Sequence, residues 1–207
     1  MKLEYPNEHD LSQVQRLRKA VLAGIALLLM AAAILSDAMA ENLERKIELS
    51  GWLAIGICIV GRTWSGLYIA GRKNKSVVRF GPYSIVRNPL YVFSVVGAVG
   101  VGLAFGSLTA GFLLGLVVLV VFHLVLRQEE EFLSDRFGPD YRRYLAEVPR
   151  WVPDFSLWQE AEEVQVSPRV VIRIFLDALL FSLAIPLFEG LELLQNSGVV
   201  PVLLRLP

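Results

Sequence analysis

The chain has 207 residues, of which 55% are hydrophobic and 19% are charged, and its mean hydropathy is +0.53. Apolar residues at this level, in long blocks rather than in alternation, are typical of an integral membrane protein and exclude an ordinary soluble domain. The formal net charge is zero, so nothing indicates a nucleic-acid partner. A single cysteine, Cys58, excludes an intrachain disulfide, and with only two histidines beside it no metal site is expected.

The first part of the chain predicts a surface helix and two membrane spans. Over residues 8–19, leucine and valine recur at helical spacing between charges, which predicts a short helix on the membrane surface. Residues 20–40 form the first predicted span, because about 20 residues at 1.5 Å each cross a hydrocarbon core of about 30 Å. Residues 41–48 are predicted as a polar loop, and residues 49–71 as the second span.

The third and fourth predicted spans form a hairpin. They cover residues 90–107 and 108–126, with Gly106 and Ser107 at the turn between them. Several glycines on these two spans would let the helices approach closely. These glycines are Gly97, Gly100, Gly102, Gly111 and Gly115.

A polar stretch follows the hairpin. The helix of the fourth span is predicted to continue through this stretch to about Phe137, where Gly138 and Pro139 should end it. Asp140 is predicted to cap a short helix over residues 141–148.

The last part of the chain predicts one more span and an interfacial tail. The fifth span covers residues 170–188, and Arg173, Asp177 and Pro186 interrupt its apolar pattern. Residues 199–204 are too few to cross a bilayer and are predicted to lie at its interface. The sequence therefore predicts an all-α, multi-pass bundle of about five spans.

An arginine interrupts the second predicted span. Arg62 lies about halfway along it, where a charge costs several kcal/mol unless it is paired or hydrated. Two interpretations stay open: a functional residue, or a structural partner of Asp177 on the fifth span.

The positive-inside rule orients the chain. Most lysines and arginines precede the first span or lie between the second and third or the fourth and fifth, and the opposite side has only Arg45, Lys46 and Arg205. We therefore expect a protein of a bacterial inner membrane, with its N-terminus and its active site on the cytoplasmic side.

Two polar clusters flank the hairpin. The first is GPYSIVRNPLY at residues 81–91, and the second is RQEEEFLSDRFGPDYRRY at residues 127–144. Because a hairpin returns the chain to the side it left, both clusters should lie on the same membrane face. Taken singly, they could be a loop that contacts lipid phosphates and a solvated helix face of ion pairs.

Taken in order, GPYxxxRNPxY, the hairpin, EExxL, FGxxYxxY and VPRWxP resemble the isoprenylcysteine carboxyl methyltransferase family and its relatives, the phospholipid N-methyltransferases. The resemblance covers about residues 62–153. It implies one integral membrane methyltransferase domain over residues 1–207, with this motif-bearing core and a C-terminal span and tail at 168–207. The family motif often has His where this chain has Asn88. Asparagine can bind the cofactor through hydrogen bonds, but it cannot carry a proton at neutral pH.

The resemblance also implies a substrate class and a cofactor. The expected reaction uses S-adenosylmethionine, without the soluble methyltransferase fold, and methylates a lipophilic or lipidated acceptor. That acceptor would be an isoprenylcysteine-like carboxylate, or a lipid or isoprenoid amine or thiol. Membrane lipids are the other expected partners.

The site residues follow from the same resemblance and form a cytoplasmic cofactor pocket. Arg87 and Asn88 would bind the methionyl carboxylate, and Glu129 or Glu130 the ammonium group or the ribose hydroxyls. Arg127 would hold a carboxylate acceptor, and Glu130 would act as base for an amine or thiol. Four tyrosines would line the adenine site and favour the sulfonium cation: Tyr83, Tyr91, Tyr141 and Tyr144.

Two other classes of protein stay open. Sterol and steroid reductases have a related membrane architecture and bind NADPH in a comparable pocket. A non-enzymatic scaffold or small transporter is the second alternative. Transporters tend to show repeated halves and broken helices at mid-membrane, whereas the polar residues here gather at the cytoplasmic edge, which favours an enzyme.

Overall fold

A computed structural model describes Ser36–Asp37, residues 41–70, residues 76–197 and Leu204–Arg205. The predicted surface helix at 8–19, most of the predicted first span and most of the tail at 199–204 lie outside the described residues.

The described part of the chain is all-α apart from one short strand pairing. Its helices are α1 (Glu41–Ile69), α2 (Pro82–Ile85), α3 (Pro89–Ala104), α4 (Leu108–Phe137), α5 (Pro139–Glu147), α6 (Pro168–Leu179) and α7 (Ala184–Asn196). Short 3-10 helices cover Phe155–Leu157 and Leu180–Leu183. Strands β1 (Ser36–Asp37) and β2 (Leu204–Arg205) pair in parallel, with Ser36 opposite Leu204.

Two predictions about the start of the chain are wrong. Ser36 and Asp37 are extended, so a helical span does not run unbroken to Ala40. The predicted loop at 41–48 is the first part of α1. This stretch is polar, but it contains no Gly or Pro and is rich in Glu, Leu, Arg and Lys, which are strong helix formers.

Within the described residues, three stretches of helix are long and apolar enough to cross a membrane: Arg45–Ile69, Leu108–Phe137 and Pro168–Gly190. They match the second, fourth and fifth predicted spans. The third predicted span is a shorter apolar helix, α3, whose 16 residues correspond to about 24 Å. These helices confirm an all-helical protein with membrane-spanning character.

The third of these stretches is interrupted where the sequence has a proline. The 3-10 helix Leu180–Leu183 separates α6 from α7, which contains Pro186. Proline has no N–H for the carbonyl of Ser182, and its ring crowds that carbonyl, so the turn before Pro186 departs from a regular α-helix.

The predicted hairpin is present. Gly106 makes the turn with a φ of 70°, and the Ser107 hydroxyl accepts a hydrogen bond from the Ala110 N–H at 3.1 Å, which caps α4. A Cβ on Gly102 would overlap the backbone at Gly111, so the two helices pack with almost no side chain between them. Helix α3 lies between α1 and α4 and contacts both.

Helix α4 ends at Phe137 as predicted, and Gly138 follows with a φ of 61°. The predicted cap of the next helix is wrong: α5 begins at Pro139, its N-cap is Gly138, and no side chain caps it. Proline suits the first helical position because the missing N–H would have no intrahelical partner there. Asp140 lies inside the first turn, where a negative charge favours the helix dipole.

Candidate active site

The hairpin brings the two polar clusters together at one end of the bundle. The Tyr91 hydroxyl on α3 donates to the Glu129 carboxylate on α4, at 2.9 Å and 3.1 Å from its two oxygens. The Arg87 guanidinium just before α3 donates to Glu130, with 3.1 Å between Nη1 and Oε1. Residues from both clusters therefore share one site, as the hairpin predicted.

A third segment completes this end of the bundle. Residues 148–159, which we call the strap, run from the end of α5 past α2. Three backbone hydrogen bonds attach the strap to the first cluster: Gly81 N–H to Gln159 O at 2.8 Å, Arg87 N–H to Pro149 O at 2.9 Å, and Asp154 N–H to Ile85 O at 2.9 Å. The path of the strap was not predicted from the sequence.

Gly81 is required where the strap meets α2. Its φ is 58°, a conformation that strongly favours glycine. A Cβ at this position would also overlap the ring of Tyr68 on α1. The structure therefore explains why the GPY motif begins with glycine.

Glu130 is the buried centre of an ion-pair group. Arg150 on the strap donates to it at 2.5 Å (Nη2 to Oε2) and 3.2 Å (Nε to Oε1), and Arg87 donates to Oε1 at 3.1 Å. Arg87 also donates to the Val148 carbonyl at 2.6 Å and to the Leu145 carbonyl. We call Arg87, Glu130 and Arg150 the ion-pair knot.

The knot bears on two predicted roles. Both oxygens of Glu130 accept hydrogen bonds from arginine, and the residue is only 7% exposed. Three donor atoms of Arg87 are also engaged by the protein. Catalysis by Glu130 and carboxylate binding by Arg87 stay predictions. Arg150 was not among the predicted site residues, and its place in the VPRWxP motif was the only signal for it.

Three of the four predicted tyrosines are buried. Tyr83, Tyr141 and Tyr144 are 5%, 7% and 3% exposed, and the Tyr144 hydroxyl donates to the Tyr83 carbonyl at 2.8 Å. Burial raises the pKa of all three phenols well above the ordinary value, so they stay protonated at neutral pH. Tyr141 and Tyr144 pack with Val148 in one apolar cluster. The buried Tyr83 hydroxyl has no hydrogen-bond partner in the described structure.

Tyr91 has different surroundings from the other tyrosines. Its ring stacks on Phe122 of α4, with 4.5 Å between the ring centroids. Both rings belong to the apolar cluster between α3 and α4. Its hydroxyl lies against Glu129, which is half-buried. Tyr91 therefore joins the apolar hairpin to the polar end of the bundle.

Two predicted site residues have uncommitted polar groups. Asn88 is half-buried at the start of α3, and its side-chain amide makes no hydrogen bond with the described residues. Arg127 is exposed and has no ion pair within the described ranges, including with Glu131 one turn away. These side chains are available to a ligand, in contrast to the knot.

His123 and Arg62, on the membrane side of the site, have partners that the sequence did not predict. The Trp151 indole on the strap donates to Nδ1 of His123 on α4 at 3.3 Å. Arg62 on α1 donates to the Ser94 hydroxyl and to the Leu90 carbonyl of α3, the latter at 3.5 Å. Arg62 therefore connects α1 to the first turns of α3.

A cleft of about 830 Å³ opens between the end of α5 and the strap. Arg87 is the one predicted site residue among its lining side chains. The other lining residues are Ala146, Glu147, Val148, Pro149, Val152, Pro153, Asp154, Phe155 and Ser156.

The helical bundle, the motif-bearing hairpin and the joined polar clusters define a class of protein. A family model described as phospholipid methyltransferase matches residues 49–140, which include the hairpin, the whole first cluster and most of the second. The chain belongs to the membrane-protein family that this phospholipid methyltransferase model describes, and it is similar to a protein-S-isoprenylcysteine O-methyltransferase. The resemblance seen in the motifs is confirmed.

The chain is similar to three named proteins. The chain is 33% identical over 156 residues to the cobalt-zinc-cadmium resistance protein CzcN of Cupriavidus metallidurans, covering 75% of this chain and 72% of that protein. It is 33% identical over 157 residues to the nickel-cobalt-cadmium resistance protein NccN of Alcaligenes xylosoxydans xylosoxydans, covering 76% and 73%. It is 32% identical over 95 residues to the protein-S-isoprenylcysteine O-methyltransferase of Schizosaccharomyces pombe, covering 45% and 40%. No solved structure matches the chain.

Proposed function

We propose that the protein transfers a methyl group from S-adenosylmethionine to a lipophilic acceptor, at the end of the bundle where the two polar clusters meet. The observation that carries this proposal is the Tyr91–Glu129 pair, a carboxylate held by a tyrosine at the boundary between the apolar hairpin and the polar clusters. Such a boundary offers charges to a polar cofactor and hydrocarbon to an apolar acceptor.

The side chains present fit this cofactor. Glu129 is half-buried and negative, which suits an ammonium group or ribose hydroxyls. The Asn88 amide and the buried Tyr83 hydroxyl are hydrogen-bonding groups that the described protein leaves uncommitted. A buried hydroxyl without a partner is unfavourable, so a ligand or water that bonds to Tyr83 would remove that cost. The face of the Tyr91 ring opposite Phe122 can attract a cation.

S-adenosylmethionine, when bound, supplies an electrophilic methyl group on a sulfonium centre. The residues of this chain contribute position and exclusion of water, which are the main sources of catalysis for such a displacement. The Tyr91 hydroxyl orients Glu129. The knot fixes the strap against α4, because Arg150 of the strap reaches Glu130 across the site.

The identity of the acceptor decides what else the protein must do. A carboxylate needs no base, and the exposed Arg127 guanidinium is available to pair with it. An amine or thiol must lose a proton. Because both Glu130 oxygens accept from arginines, we propose that Glu130 orders the site rather than removing this proton.

The proposed site faces the cytoplasm of a bacterial cell. The excess of lysine and arginine near both polar clusters supports this orientation. Reporter fusions after Lys46 and after Lys75 should lie on opposite sides of the membrane. If both fusions lie on the same side, the second predicted span, residues 49–71, does not cross the membrane.

The test is methyl transfer by purified protein in lipid nanodiscs, given methyl-labelled S-adenosylmethionine and a lipid extract, with products analysed by mass spectrometry. We expect a labelled lipophilic product, lost in Glu129→Gln and retained in the matched control Glu131→Gln, which alters an exposed neighbour. Oxidation of NADPH is followed in parallel. NADPH oxidation without methyl transfer would support the reductase instead.

A further inference from the structure

The strap carries a group of exposed apolar side chains next to the site. Val152 is 76% exposed, Phe155 is 75% exposed and Trp158 is 42% exposed. Phe80, next to Gly81 and hence near the end of the strap, is 40% exposed. Exposed apolar residues grouped in this way mark a contact surface rather than ordinary protein surface.

We propose that this surface lies in the interfacial layer of the bilayer. It would anchor the strap to the leaflet on the side of the candidate active site. The proposal does not depend on the proposed function. The occupant is lipid, and a protein partner is an outcome of the test below.

The depth of the strap supports a lipid contact. The Trp158 ring stacks on Trp64 of α1, with 5.9 Å between centroids and 17° between planes. Trp64 lies five residues before Ile69, the end of the candidate span Arg45–Ile69, or about 7.5 Å along the helix axis. The strap therefore reaches alongside the span, at the level where tryptophan is enriched in membrane proteins.

The surface is also continuous with a face of a spanning helix. Leu67, one turn after Trp64 on α1, is itself 37% exposed. Trp158 stacks on Trp64, so the exposed apolar side chains of the strap begin beside this exposed face of α1.

Several polar groups of the strap have partners in the rest of the protein. The Arg150 guanidinium and the Trp151 indole N–H bond to α4. The Asp154 N–H and the Gln159 carbonyl bond to the segment that contains α2. A backbone with internal partners can enter the apolar edge of a bilayer at low cost.

One charge limits how deep the strap can lie. The exposed Asp154 carboxylate accepts from the Ser156 hydroxyl at 2.6 Å and from the Ser156 N–H at 3.0 Å, and these hydrogen bonds lower its pKa. Asp154 therefore stays ionised at neutral pH and should remain among the headgroups. Arg150, the cation of the strap, is held by Glu130. The contact should be shallow, about 5–10 Å, and driven by apolar burial rather than by attraction to anionic lipid.

Spin labels test this position. In a Cys58→Ala background, Phe155→Cys and Val152→Cys are each labelled in the full chain and reconstituted in phosphatidylcholine nanodiscs. Glu163→Cys, on the exposed polar linker before α6, is the matched control. Accessibility to oxygen and to a water-soluble nickel chelate is measured by power saturation. We expect both strap labels to favour oxygen strongly and the control label to favour nickel.

Two results would overturn the proposal. If both strap labels are as accessible to nickel as the Glu163 label, the surface faces water and would suit a protein partner. If the strap labels become inaccessible to the nickel chelate only when phosphatidylglycerol is added, the contact is electrostatic rather than apolar. Either strap label is informative alone, so failure of one variant to fold does not prevent the test.

Discussion

Glu129 and Glu130 are neighbours on α4, yet they have different surroundings. Glu130 is 7% exposed and lies between two arginines, whereas Glu129 is half-buried and accepts from Tyr91. The difference distinguishes two environments on adjacent residues of one helix. A buried carboxylate whose oxygens both accept from cations holds the structure together, and a carboxylate oriented by one neutral donor can still bind a ligand.

The largest effect is expected from Glu130→Gln. Removing one partner of a buried ion pair typically costs about 3–5 kcal/mol, because the remaining charges lose their compensation. Thermal unfolding in detergent should show a large decrease in melting temperature, with little change in the exposed control Glu131→Gln. If Glu130→Gln melts like wild type while turnover is lost, Glu130 is catalytic, as the motifs predicted.

A smaller loss is expected from Arg150→Gln. The Arg150 side chain is 30% exposed, so water can partly replace it, and we expect a loss of about 1–3 kcal/mol. The control Arg143→Gln changes an exposed arginine of α5 and should stay within about 0.5 kcal/mol of wild type. In a double-mutant cycle, Arg150→Gln should cost much less in the Glu130→Gln background. Additive losses would show that the two side chains do not interact.

Tyr91→Phe should have a modest effect on stability. The ring remains stacked on Phe122, and the lost hydrogen bond is worth about 0.5–1.5 kcal/mol. Because the hydroxyl orients Glu129, the affinity for S-adenosylmethionine should decrease several-fold in equilibrium binding. Wild-type affinity in a folded Tyr91→Phe protein would mean that this pair does not organise the cofactor site.

The smallest effect on stability is expected from Arg127→Gln. This exposed side chain has no ion pair in the described structure, so the melting temperature should not change measurably. If Arg127 holds the acceptor, KM for the acceptor should rise in steady-state assays while cofactor affinity stays the same. Unchanged KM and kcat would leave Arg127 as a solvated residue.

The sequence predicted those features that depend on local chemistry. The hairpin follows from two apolar blocks with Gly106 between them, and the end of α4 follows from Gly138, which has a φ of 61°. The predicted loop at 41–48 is wrong because the helix propensity of these residues outweighs their polarity.

The partners of the site residues could not be predicted in the same way. Arg150 and Glu130 are 20 residues apart, and their contact depends on the path of the strap past α2. A motif also does not show which way a side chain points. Tyr91 faces Glu129, while Tyr141 and Tyr144, which belong to an equally suggestive motif, pack in an apolar cluster.

The most direct measurement compares binding of S-adenosylhomocysteine, the product form of the cofactor, to wild type and Glu129→Gln by calorimetry in nanodiscs. We predict saturable binding to wild type. We also predict an affinity about 10- to 100-fold lower in Glu129→Gln, as expected for a charge-assisted hydrogen bond worth about 1.5–3 kcal/mol, with an unchanged melting temperature. Absence of binding to wild-type protein, or equal affinity in the folded Glu129→Gln variant, would contradict the proposed cofactor site.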